Sequence, residues 1–216
     1  VASVTDHLDA ERVVVHRQLD DQLFTLTDVY KGHIPVSAIY AFIGMFVALL
    51  FDYSAVIVSN EHSANEGNSM YQGYEINHQW SKSEAFERIF QEYISHSVST
   101  NITYFSLLRP LTEYRIVELF SKHETFFPLF WSCNNNLRLR TENSSSQLWC
   151  NRCPKCAFAF AMLAAFLPKD KLLRIFNENL FAQKHLERTF RQLLGIAEMK
   201  PLECVGTAQE VAYAFY

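Results

Sequence analysis

Between Ile34 and Phe51 the chain runs eighteen positions without a charged side chain. That length only just reaches a membrane span. Pro35 stands at its start, no lysine or arginine cluster flanks one side, and a strand-like run follows directly. The pattern therefore predicts a buried helix to about Leu50, apolar on all sides and needing cover on every face. Pro35 suits its first turn. The apolar run Ala55-Val56-Ile57-Val58 reads as a buried strand. Upstream, Glu11–Leu19 carries Val13-Val14-Val15, a β-branched run of strand type. Strand, helix, strand predicts a parallel βαβ unit, with Ile102–Leu108 as a third strand.

At 216 residues the chain allows one large domain or two small ones. A net charge of −4 gives no electrostatic case for nucleic acid or an anionic membrane surface. The sequence begins at Val1 with no signal-peptide pattern, which predicts a cytoplasmic protein. About three strands are too few for a parallel sheet, which normally has about five. The expectation is therefore a piece of a longer protein whose N-terminal strands are missing. Isolated, it would expose apolar surface.

After Val58 the chain turns polar for some twenty residues, holding Asn60, Glu61, Ser63, Asn65, Glu66, Asn68, Asn77 and His78. Such a loop at the carboxyl end of a strand lies where open α/β sheets bind ligands. Asn65-Glu66-Gly67-Asn68 suits a tight turn. Ser81 and Glu84 have capping-box spacing for a helix over Lys82–Ser95. Further helices are predicted from Pro110 and Thr112, and over Ala157–Phe166, Asp170–Phe176, Ala182–Leu194 and Ala208–Phe215. The 134–146 stretch, with Arg138 and Arg140, reads as an irregular connector.

Cys150, Cys153 and Cys156 form C-x2-C-x2-C, and Cys133 supplies a fourth thiol. Thiolates at this spacing reach one ion, and four complete a tetrahedral zinc shell with no open position, so the site is structural. Arg152 and Lys155 offset its negative charge. Disulfides fit poorly, because residues three apart rarely meet the required geometry. An iron–sulfur cluster is the chemical rival; zinc is preferred because the chain has no second ligand set.

Five segments in order carry a resemblance: G-H-I-P-V-S-A at 32–38, S-N-E-H-S-A-N-E-G-N at 59–68, N-H-Q-W-S-K-S at 77–83, W-C-x2-C-P-K-C at 149–156 and K-P-L-E-C-V-G-T at 200–207. Together they resemble the bacterial UDP-N-acetylmuramoyl-L-alanyl-L-glutamate epimerase family of peptidoglycan precursor synthesis, over nearly the whole chain. The resemblance implies an isomerase that uses ATP and magnesium to convert the terminal L-glutamate of a UDP-linked muramoyl dipeptide to D-glutamate, through an acyl-adenylate. It is also similar to the ATP-pyrophosphatase (PP-loop) superfamily, including the deazaguanine synthases. That superfamily has a glycine-rich phosphate loop, and none is present here, so the resemblance implies a C-terminal part that is inactive alone. The implied fold is α/β: a partial parallel sheet with flanking helices, PP-loop or Rossmann-like, plus a zinc-stapled helical region. Residues 1–132 would belong to the nucleotide-binding-type domain and 133–216 to the Cys-rich helical region.

On this reading Glu61, His78, Glu203 and Cys204 are candidates for proton transfer or catalysis. His33, Asn60, Ser63, Asn65, Glu66, Asn68, Asn77 and Lys82 are candidates for the nucleotide and its magnesium. Arg17 and Asp20 are candidates for the same cleft. The expected partners are a UDP-linked peptide and the missing N-terminal part, with no nucleic acid and no membrane. Two alternatives remain: another PP-loop enzyme, deazaguanine-synthase-like or tRNA-modifying, and a non-catalytic zinc module.

Overall fold

A computed structural model of the chain describes residues 2–30, 34–136, 148–197 and 199–216. His33, Arg138 and Arg140, named above, lie outside the described residues. The chain divides into two compact units, Val1–Ile34 and Pro35–Tyr216.

The first unit holds two short helices, α1 (Ala2–His7) and α2 (Gln22–Thr25). Asp20 Oδ1 accepts from Gln22 N at 2.8 Å and so starts α2. The strand predicted around Val13–Val15 does not form, and residues 10–20 carry no regular structure. A β-branched run favours a pleated surface only when a partner strand completes its hydrogen bonds, and residues 2–30 contain none.

The second unit opens with α3 (Val36–Leu50) and β1 (Ala55–Val58). The polar loop that follows is more ordered than its composition suggests. It contains a 3-10 turn at His62–Asn65, a hairpin of β2 (Ser69–Tyr71) and β3 (Tyr74–Ile76), and a 3-10 turn at Trp80–Lys82. The tight reversal falls at Gln72-Gly73, both at positive φ as a two-residue hairpin demands, rather than at Asn65–Asn68. Gly67 is needed for closeness: a Cβ there would lie 2.2 Å from Glu75 Cγ. Glu75 Oε1 also accepts from Gly67 N at 2.8 Å.

Next come α4 (Glu84–Ser97) and β4 (Thr103–Ser106). Ser83, not Ser81, caps α4, its side chain accepting from Phe86 N. β4 pairs in parallel with β1, from Ala55 opposite Thr103 to Val58 opposite Ser106. The parallel unit is thus β1–α4–β4, in place of the pairing predicted for Val13–Val15. Phe86, Phe90 and Ile94 recur at i, i+4, i+8 and pack with Ala41, Met45 and Tyr104 into one core. Phe90 meets Phe42 and Tyr104 edge-on at 4.9 and 4.8 Å between centroids. α3 buries only one stripe; Phe42, Phe46 and Leu50 are at least half exposed. No helix among the described residues is long and apolar enough to cross a membrane.

The remainder is helical: α5 (Glu113–Phe120), α6 (Pro154–Ala164), α7 (Lys169–Phe176), α8 (Glu187–Leu193) and α9 (Ala208–Ala214). Their core gathers Phe160, Met162, Phe176, Leu186, Leu193 and Val211. The helix predicted over Ala182–Leu194 is interrupted at Gln183, which is extended between two 3-10 turns. Unbroken, six residues of helix would turn Leu180 about 120° away from Leu186; with the break, both are fully buried. The architecture is mixed α/β, with a small parallel sheet beside a helical core.

Because the Ser83 side chain is buried and satisfies an otherwise open helix N–H, Ser83→Ala should destabilise the protein by about 1 kcal/mol, measured by denaturant titration. Ser81→Ala, outside the cap, should have a smaller effect.

Candidate functional site

Four sulfurs converge where α6 begins. Cys153 is the N-cap of α6, and Pro154 fits its first turn because no N–H is needed there. The Sγ atoms of Cys133, Cys150, Cys153 and Cys156 all lie within 4.8 Å of one another. Cys153 and Cys156 are 3.5 Å apart, Cys150 and Cys156 3.8 Å, and Cys133 and Cys153 4.0 Å. Zinc–sulfur bonds of about 2.3 Å in a tetrahedron need sulfurs about 3.8 Å apart, so the set fits a tetrahedral ion. Asn135 Nδ2 donates to Cys150 Sγ at 3.3 Å. The cysteines are free of disulfides. Hydrogen bonding from Cys156 holds the Cys153 thiol down at about 4, while the same contact and burial push Cys156 up. A cation held by these sulfurs would displace their protons, because thiolates are the binding form.

A second constellation joins the loop before α9 to the turn before α4. Lys82, in the 3-10 turn before α4, donates from Nζ to Cys204 Sγ at 3.2 Å, across 122 positions of sequence. Glu113, in the first turn of α5, lies nearby. Desolvation pushes its carboxyl up to about 8, with Glu61 and Glu210 adding to the rise and Lys155 and Lys82 opposing it. Lys200 is held below the ordinary lysine range by burial, with Glu66, Glu210, Glu113 and Cys204 opposing. The loop after β1, the start of α5, the start of α6 and the loop before α9 thus contribute charges to one region.

Arg109, just past β4, holds that region together. Its guanidinium donates to the Glu61 carbonyl at 3.0 Å, the Lys82 carbonyl at 2.6 Å and Glu87 Oε2 at 3.1 Å. Glu87 in turn accepts from Ser106 N at 3.2 Å and from the Ser106 hydroxyl. Both members of the ion pair have side chains only 13% exposed. Glu210 does similar work at the other end, accepting from Glu113 N at 2.6 Å and Thr207 N at 2.7 Å. Gly206 beside it has no room for a side chain: a Cβ would sit 2.9 Å from Glu210 Oε2 and 3.0 Å from Phe158 Cζ.

The residues singled out from sequence divide into two groups. Glu61, Glu66, Lys82 and Cys204 belong to the charged region, and Glu203 adjoins Cys204 in the same loop. Several others knit the loop itself. Asn60 donates to Ser106 Oγ at 3.1 Å, and Ser63 donates to Glu61 Oε1 at 3.2 Å. Asn65 Oδ1 accepts from Glu84 N at 2.7 Å at the start of α4, and Asn77 donates to the Ala64 carbonyl at 2.8 Å. Asn68 Oδ1 contacts His78 Nδ1. Arg17 and Asp20 belong to the first unit. Sequence reading missed Arg109, Glu113, Lys200 and Glu210, and saw Lys155 only as a charge beside the cysteines. Lys200 and Glu203 stand inside a quoted motif; Glu113 looked like an ordinary acid in a helix first turn.

These features define a mixed α/β protein with a four-thiolate metal-type centre beside a lysine, glutamate and cysteine cluster. Residues 1–107 match the MurL N-terminal domain and residues 129–216 the MurL C-terminal domain, so the chain belongs to the MurL family. A Xanthomonas oryzae pv. oryzae protein named UDP-N-acetyl-alpha-D-muramoyl-L-alanyl-L-glutamate epimerase is 39% identical over 198 residues, covering 91% of this chain and 44% of its own length. Proteins of the same name from a Micromonospora strain and from Salinispora tropica are each 36% identical, over 99% and 94% of this chain and 48% and 44% of theirs. The chain therefore spans less than half the length of these curated relatives. No solved structure matches it.

Two outcomes test this geometry. Arg109→Met leaves the Glu87 carboxylate without its cation, and should cost stability near the lower end of about 3–5 kcal/mol, measured against Glu87→Gln and the double variant. Glu113 titrates above its unfolded value, so the folded state holds the extra proton. Its stabilising contribution is full at acid pH and is lost as pH rises to about 8. Glu113→Gln should therefore lose less melting temperature than the wild type between about pH 5 and pH 9.

Proposed function

We propose that this chain is part of an ATP- and magnesium-dependent epimerase that inverts the terminal L-glutamate of a UDP-linked muramoyl-L-alanyl-L-glutamate in peptidoglycan precursor synthesis. The observation that carries the reading is the Lys82–Cys204 pair beside Glu61, Glu113, Lys155 and Lys200, in a chain of the MurL family. An α-proton beside a carboxylate is hardly acidic. Converting that carboxylate to an acyl-adenylate makes the proton removable, and a nearby base then takes it. Glu61, His78, Glu203 and Cys204 are the candidates for proton transfer or for steering the activated acyl group. Lysines around them supply positive charge for the phosphates and the developing enolate oxygen.

ATP needs clustered backbone N–H groups, usually from a glycine-rich turn, and no such turn occurs among the described residues. We assign the phosphate loop, in a PP-loop-like nucleotide domain, to sequence beyond these 216 residues. The apolar face of α3, with Phe42, Phe46 and Leu50 exposed, is the surface that such sequence would cover. On this reading the 216 residues alone bind ATP weakly and do not turn over. In the longer chain Glu61 and Glu66 help to hold magnesium, with water completing the shell.

Zinc is the ion we assign to Cys133, Cys150, Cys153 and Cys156, because four thiolates at tetrahedral spacing suit it and leave no open position. Its role is to fix the start of α6 and, with it, Lys155. The protein should contain one zinc per chain by elemental analysis, and Cys153→Ser should loosen α6. A brown, iron-containing sample, or a well-folded one with no metal, contradicts the assignment.

The longer protein, given the UDP-linked dipeptide, ATP and magnesium, should release AMP and pyrophosphate and form the D-glutamyl product. AMP release with a nucleobase or tRNA substrate instead would support a different PP-loop activity. Glu61→Gln should lower turnover at least about tenfold while leaving the melting temperature within a few degrees. If it unfolds the protein, Glu61 is structural.

A further inference from the structure

Between α5, α6 and the loop before α9 lies a cavity of about 260 Å³, lined by Glu113, Ser132, Lys155 and Cys204 among apolar side chains that include Phe130 and Phe158. That is smaller than the roughly 300–1,000 Å³ of pockets for drug-sized ligands, and too small for a nucleotide. It suits one amino-acid-sized group. An acidic residue fits its polar lining: Lys155 can pair with a carboxylate, and the Ser132 hydroxyl can donate. The apolar walls keep the polar groups few, so each has a specific partner in whatever enters.

Two proton-carrying side chains line this cavity from different elements. Glu113 comes from the first turn of α5, and Cys204 from the loop that precedes α9. Charged and titratable groups reach Glu113 from several elements: Glu61 from the loop after β1, Lys82 from the turn before α4, Lys155 from α6, Lys200 and Cys204 from the loop before α9 and Glu210 from α9. Glu210 is already engaged with the Glu113 and Thr207 N–H groups, so it positions rather than reacts.

Resting on the epimerase reading above, we propose that this cavity receives the terminal glutamyl group, that Cys204 removes its α-proton, and that Glu113 returns a proton to the other face. Cys204, reacting as the thiolate with Lys82 Nζ 3.2 Å from its sulfur, takes the proton from Cα. The C–H electron pair moves into the bond to the activated acyl carbon, and the carbonyl pair moves onto oxygen. Glu113, as the neutral acid, then gives its proton to Cα as the oxygen pair falls back. Cys204 is left as thiol and Glu113 as carboxylate, and both reset by exchange with water. Nothing is oxidised or reduced. Burial holds the proton on Glu113 near neutral pH, the state that a donor needs.

The test uses the longer protein with UDP-linked dipeptide, ATP and magnesium in D2O, following AMP release, D-product and deuterium at Cα of recovered L-substrate. Glu113→Gln should release AMP within about threefold of the wild type and lose D-product by about 100-fold or more. It should still place deuterium in the L-substrate, because Cys204 can remove and return the proton on its own side. Cys204→Ser should abolish that exchange. Should Glu113→Gln fail to fold, Glu113→Asp carries the test: inversion falls at least about tenfold with AMP release kept. Wild-type rates of D-product in either Glu113 variant overturn the assignment, as does joint loss of AMP release and exchange in a folded Glu113→Gln. A longer protein that never inverts this substrate overturns the epimerase reading and this assignment together.

Discussion

The charged region depends on one guanidinium. Arg109 stands just beyond β4, yet its bonds reach the loop after β1, the turn before α4 and the first turn of α4 itself. A two-stranded parallel sheet has little stiffness of its own. Here the ends of both strands are fixed through Ser106, which touches Glu87, Asn60 and Arg109. Because two of the Arg109 acceptors are backbone carbonyls of Glu61 and Lys82, the clamp sets main-chain position, and the side chains follow. Arginine is suited to this because its planar fork donates in several directions at once.

The cysteine cluster orders the opposite wall. Lys155 lies between Cys153 and Cys156 of the cluster, and Phe158 follows one turn after Lys155. An ion that fixes Cys153 and Cys156 therefore fixes the direction from which the cavity receives its positive charge. Trp149, packed 5.3 Å from Phe130 and 4.8 Å from Phe176, ties the same segment into the helical core. Cysteine cluster, core and cavity are thus neighbours in one short stretch of chain.

How much of this could be read in advance follows from where each interaction lies along the chain. The cysteine set was readable because its spacing is itself the geometry: three ligands fall within seven residues. β1, α3 and α4 were readable as elements from an apolar run and a 3.6-residue period, but their burial was not: Ile57 of the strand expected to be buried is exposed, and α3 buries only one stripe. Val13–Val15 misled because propensity describes a surface, and a strand also needs a neighbour. Ser81 has the capping-box spacing, yet a 3-10 turn occupies Trp80–Lys82 and defers the helix to Ser83. The members of the charged region are far apart in sequence, Lys82 and Cys204 by 122 positions, and no local pattern marks Glu113 or Arg109. The asparagines of the loop were read as ligand contacts because their density suggests polar work; that work includes holding the backbone turns together.

Glu210 has a consequence for how such a protein can be handled. Short helices with a half-exposed face usually tolerate cuts, tags and replacement. Here the helix over Ala208–Ala214 is anchored by a capping box between Thr207 and Glu210, and the same carboxylate holds the amide of Glu113. A fusion partner or a trimmed end that unwinds this helix would release α5 at its first residue and slacken the loop carrying Cys204. Affinity tags and labels therefore belong elsewhere on the molecule, and protease nicking after Gly206 should loosen the Cys204 loop and the start of α5 before it unfolds the core.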